Sequence, residues 1–178
     1  MKLKRFNESI DEDDDNTYLD ILYDKIKNDN KTINGFEFFV DDMSGCFTWS
    51  TDKFVVYATP YYDDEPQTLP IEVINFDGDD IYKKQVTLKI LNSQKTIDDI
   101  IKYYYEIIDS LTLDLNKIGK LIDIAPILLN KSGNITVENL TISSIEQLIK
   151  LPMNKSLEMY NYIIEKYPEL FITSKYNV

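Results

Sequence analysis

Carboxylates are the groups in this chain best placed to do chemistry. Asp77–Gly78–Asp79–Asp80 sets three of them around a glycine that can bend the backbone, and hard cations favour such clustered oxygens. The spacing does not continue as a calcium loop: no glycine follows at its sixth place and no glutamate at its twelfth. A solvated turn between two strands is therefore the expected role, and the same holds for Asp41–Asp42 and Asp63–Asp64–Glu65. A glycosidase pair would need two carboxyls facing one another across a pocket, which spacing along a chain does not establish.

The missing groups exclude more than the present ones suggest. The chain has no histidine, so imidazole general bases, Ser–His and Cys–His nucleophiles and histidine metal sites are ruled out. The single cysteine, Cys46, allows no intramolecular disulfide or cysteine-rich zinc site and is expected as a small buried hydrophobe. One arginine, Arg5, offers little for clamping phosphate. The five glycines form no phosphate-cradling loop. No cofactor and no catalytic residue is expected, and the chain reads as a non-enzyme. Aromatic clusters are the remaining candidates. Tyr61–Tyr62 lies in a polar connection, and Tyr103–Tyr104–Tyr105 lies on a helix where three consecutive side chains cannot share one buried face. Tyr61, Tyr62, Tyr104 and Tyr105 are the candidates for contact with a partner, since tyrosine buries much area at small entropic cost.

At 178 residues, 43% of them hydrophobic, the chain suits one domain with a real core. Net charge is −12 at neutral pH. Residues 1–16 carry −3, residues 17–99 carry −8 and residues 100–178 carry −1, so the acidity sits in the first hundred residues. That field repels nucleic acid and anionic membranes and attracts basic proteins. No apolar stretch is long enough to span a bilayer, and the start, Met1–Lys2–Leu3–Lys4–Arg5–Phe6, lacks the apolar run of a secretory signal.

These groups must be positioned by elements that the hydrophobic periods lay out. Residues 1–16 end in the like-charged run Asp11–Glu12–Asp13–Asp14–Asp15 and are expected to be a flexible acidic segment. Tyr18, Leu19, Leu22, Tyr23 and Ile26 then mark a helix from Thr17 to about Asn28. The period changes to two. Strands are expected at 36–40, around Phe47 and Trp49, at 54–59, at 71–76 and at 86–91, with Val86, Leu88 and Ile90 inward and Asp77–Asp80 in the last turn. From Thr96 the signal is helical: an N-cap followed by Asp98 and Asp99, and a broad stripe through Ile97, Ile100, Ile101, Tyr104, Ile108 and Leu111. A second helix is expected after Asp114, broken or kinked at Pro126. Ile135–Thr136–Val137 could be a short strand. Ser143 with Glu146 and Ser144 with Gln147 fit capping boxes before a short helix, and a last helix covers about Lys155 to Tyr167. The expected fold is α+β: an N-terminal helix, an antiparallel meander of four to five strands, then three to four helices. Residues 17–114 would hold the sheet and its covering helix, and 115–178 a helical part packed on the same domain.

The nine residues Met1-Lys2-Leu3-Lys4-Arg5-Phe6-Asn7-Glu8-Ser9 resemble the short leaders of many proteins of large tailed bacteriophages. Some of those leaders are cut after a glutamate that an apolar residue precedes by two positions. Phe6–Asn7–Glu8 has that form, and the resemblance implies cleavage after Glu8 and a place in the virion or the host cytoplasm. The resulting expectation is a bacteriophage protein that acts by contact with a protein partner or with its own copies, binding neither nucleic acid nor membrane. Two alternatives stay open. One is an acidic inhibitor that imitates nucleic acid in the groove of a nuclease or defence protein. The other is a carboxylate and metal enzyme centred on Asp77, Asp79 and Asp80.

Overall fold

The computed structural model of the chain describes residues 12–41, 45–58, 68–75, 78, 80–87 and 97–173. The expected leader site at Glu8 lies outside these residues. Helix α1 spans Glu12–Asp29, five residues earlier than the apolar stripe predicts. The acidic run Glu12–Asp15 thus opens the helix rather than preceding it, and acids at a helix N-terminus are favoured by the backbone dipoles. Strands β1 (Glu37–Asp41), β2 (Cys46–Ser50), β3 (Phe54–Ala58), β4 (Thr68–Asn75) and β5 (Asp80–Thr87) follow. They pair in chain order, every neighbour antiparallel, as one five-stranded sheet.

A two-residue turn leads into the sheet. Asn34 and Gly35 take φ of 52° and 85°, and Ile33 and Phe36 exchange both backbone hydrogen bonds across them. Asn-Gly is the dipeptide most suited to a turn with two positive φ values. Register then sorts the side chains. Phe38, Trp49, Val56, Val73 and Tyr82 line up across all five strands on the inner face. Phe36, Phe47, Phe54, Ala58 and Ile71 join them in the core.

The fifth strand corrects the sequence expectation. It is Asp80–Thr87, six residues before the run that alternates at 86–91, and Ile74 pairs with Asp80 around an irregularity beside Val73. The turn before it is tight: the Gly78 N–H donates to the Asn75 carbonyl at 3.0 Å, with Gly78 at φ 83°. That closure commits the chain to pairing at once, and Ile81 and Tyr82 supply the apolar contacts to the core. Val86 pairs with Leu69 in β5; Leu88 and Ile90 lie outside the described residues. Pro70 falls inside β4, beyond the last residue of β4 that pairs with β3.

Helix α2 runs unbroken from Ile97 to Ser132, 36 residues, through both expected interruptions at Asp114 and Pro126. Its first half covers the inner face of the sheet: Ile100, Tyr104, Ile108, Leu111, Leu115 and Ile118 share a core with the strands and with Leu22 and Ile26 of α1. Beyond Gly119 a second core begins, in which Leu121, Ile124, Ala125 and Leu128 of α2 are buried. A hairpin of β6 (Ile135–Val137) and β7 (Leu140–Ile142) and helices α3 (Ile145–Ile149), α4 (Met153–Lys166) and α5 (Pro168–Thr173) complete it. Ser144 caps α3 by accepting from the Gln147 N–H, as its capping box predicts. Polar ties join the parts: Lys25 to Asp98 at 2.5 Å, Lys53 to Asp123 at 3.1 Å, and the buried Asn75 amide to the Ile149 carbonyl at 3.2 Å. Among the described residues no helix is long and apolar enough to cross a membrane.

Candidate functional site

The tyrosine triplet of α2 is divided by the helix period. Tyr104 faces the sheet and is 1% exposed, its ring edge-on to Trp49 at 6.4 Å. A residue so placed is not available to a partner, which removes Tyr104 from the contact candidates. Tyr105 is half-buried, edge-on to the same Trp49 at 6.5 Å. Tyr103 takes the exposed side at 38%. Tyr61 and Tyr62 lie outside the described residues. Burial pushes the Tyr104 hydroxyl far above its ordinary value, with Tyr105 and Cys46 adding to the effect. Burial first and the Asp29 carboxylate second push Tyr105 up as well. Both hydroxyls are shielded from solvent, and neither makes a hydrogen bond of good geometry.

Beside Tyr105 the loop after α1 and the outer side of α2 enclose a cleft of about 400 Å³. Lys31, Lys102, Glu106 and Asp109 line it, two cations against two anions, and the Lys31 ammonium stands 5.2 Å over the Tyr105 ring. Asn34 closes one end. Its amide donates to Asp109 and to the Thr112 hydroxyl at 2.9 to 3.1 Å, and its carbonyl accepts from Asn116. These bonds fasten the Asn34–Gly35 turn onto α2, so Asn34 and Asp109 already serve the fold.

Asp80 is exposed at the start of β5, and Asp77 and Asp79 lie outside the described residues. No group of three potential metal ligands gathers among the described residues.

The sheet has a second face. Phe39, Thr48, Tyr57 and Glu72 stand opposite one another along one row on the side away from the helices, with Ser50, Val55 and Ile74 in the next. Phe39 is 52% exposed, and Val55, Tyr57 and Ile74 are half-buried among their neighbours. None of the four belongs to either core, and the buried faces of α1 and α2 pack with the inner-face residues of the strands. Thr48, a small residue, is the register partner of Phe39 on β2. Sequence alternation contains this face, since Phe39 and Tyr57 are the large apolar residues out of phase with their inward neighbours. No protein-family model, curated protein or solved structure matches the chain.

Proposed function

We propose that this is a non-enzymatic bacteriophage protein that acts by contact with another protein, as a virion component or an accessory factor, through the outer face of its sheet. The observation that carries the reading is the strip formed by Phe39, Val55, Tyr57 and Ile74, apolar and aromatic, outside both cores. Apolar surface gathered on one side of a sheet, with polar residues around it, is a common form of docking surface. The bacteriophage setting rests on the resemblance of residues 1–9 to phage leaders. The net charge of −12 favours a partner with a basic rim.

Placing a photo-crosslinking amino acid at position 57, at 39, or at Tyr162 on α4, in cells where the gene acts naturally, tests this. Positions 57 and 39 should give the same discrete heavier product, and position 162 should not. A product pattern shared by all three positions, or none from 57, would sink the reading.

A second reading, imitation of nucleic acid, draws on one observation: the run Glu12–Asp15 continues into α1 and so sits on a regular helix. Binding by a mimic should fall steeply with salt and survive Phe39→Ala, whereas contact through the strip should lose affinity with that substitution.

A further inference from the structure

Among the described residues, the outer face meets unpaired backbone at β1. This strand is terminal in the sheet order, so alternate residues between Glu37 and Asp41 aim N–H and C=O groups away from β2. No strand among the described residues pairs with that side. Edges are usually guarded by charged side chains, lysine above all, by proline or by a bulge. Glu37–Phe38–Phe39–Val40–Asp41 contains no lysine or proline, and its register with β2 is unbroken from Glu37↔Ser50 to Asp41↔Cys46. Phe39 stands at the middle of the strand, with an acid two residues to either side.

We propose that β1 accepts an added strand from the partner protein, an extended segment of pattern basic–x–apolar–x–basic. The proposal rests on the contact reading above and specifies the geometry and chemistry of that contact. Charge selects the occupant. A second copy of this chain, paired antiparallel about Phe39, would set Glu37 against Asp41 at both ends; paired parallel and in register, it would set each acid against itself. Like charges directly opposite destabilise a strand pair, and two chains of −12 add their mutual repulsion. A basic segment turns the same two positions into opposite-charge pairs, and its central apolar residue covers Phe39. Main-chain hydrogen bonds along the edge hold it, as in other cases of strand addition.

The probe is the peptide Thr-Lys-Val-Ile-Val-Lys-Thr, acetylated, amidated and fluorescently labelled, titrated with the full chain by anisotropy. Binding should saturate and should weaken at least tenfold when the lysines become glutamates or when the protein carries Phe39→Ala. Thermal midpoints of Phe39→Ala and Phe39→Thr establish that these variants stay folded. Two further peptides carry N-methyl groups at odd or at even positions, keeping every charge. Only one of the two should lose binding, because one edge of an added strand faces β1. Equal binding by both methylated forms would mean charge attraction alone and would overturn strand addition. A dimer in sedimentation that Phe39→Ala dissolves would give the edge to a second copy and overturn the assignment to a basic partner. Crosslinking from position 57 without peptide binding overturns the edge proposal and leaves the outer-face contact standing. Peptide binding without crosslinking does the reverse.

Discussion

The hydroxyl of Tyr104 lies in the core with no hydrogen-bond partner among the described residues, while its ring packs edge-on against Trp49. A buried polar group without a partner costs about 1–3 kcal/mol of desolvation, and removing it leaves the apolar contacts in place. Tyr104→Phe should therefore raise stability by roughly 1 kcal/mol, or about 2–4 °C in Tm for a chain of this size. A calorimetric midpoint below wild type would show that the hydroxyl has a partner. The same group sets an alkaline limit. Its folded pKa is raised above the unfolded value of 10.0, so its contribution is whole below pH 10 and is lost as pH rises beyond that. The slope from one such group is about 1.4 kcal/mol per pH unit. Tyr105 adds in the same direction. Denaturant midpoints between pH 9 and pH 11 should fall less steeply in Tyr104→Phe than in wild type. That three consecutive tyrosines must include an exposed one was legible from the helix period. Which one it is depends on how α2 is rotated against the sheet, and only packing on Trp49 decides that.

At the scale of elements, α2 shows tertiary contact overriding local signals. Pro126 removes one intrahelical donor and crowds the preceding turn, a cost of about 3 kcal/mol in an isolated helix. It sits on the exposed side of α2, while Ile124, Ala125 and Leu128 around it are buried in the second core, and that burial keeps the helix continuous. Gly119 is a weaker point in the same helix. A Cβ there would meet Lys53 Cδ at 3.5 Å and Phe54 Cε2 at 3.8 Å, ordinary contact distances. Gly119→Ala should stabilise by roughly 0.5–1 kcal/mol through helix propensity. A loss in urea midpoint instead would mean that α2 and the β2–β3 turn have no room to spare. The strands show the opposite balance. β1 to β4 were legible because alternation and turn residues agree there. The fifth strand begins six residues before the run that alternates most cleanly, because the tight closure at Gly78 fixes pairing first. The Asn34–Gly35 turn carries a strong hairpin signal in the sequence, because Asn-Gly suits two consecutive positive φ values.

For the whole molecule, the question is whether two cores on one helix behave as one. The sheet-side core ends at Ile118 and the second begins at Leu121, with Ile122 packed against both. The helix between them is continuous, Asn75 of β4 donates to α3, and Lys53 before β3 reaches Asp123. Melting one core would leave half of α2 without its buried face, and a helix lacking such packing is marginal in water. The two cores should therefore unfold together. The single tryptophan, Trp49, reports on the sheet side, and far-ultraviolet circular dichroism reports on the helices of both cores. Urea curves from the two probes should coincide. Leu121→Ala, made only in the second core, should cost about 2–5 kcal/mol and move both curves by the same amount. If Trp49 fluorescence kept its wild-type midpoint while the dichroism shifted, the cores would be separate units. The outer face and edge of the sheet would then have to be understood without the helices beyond Gly119.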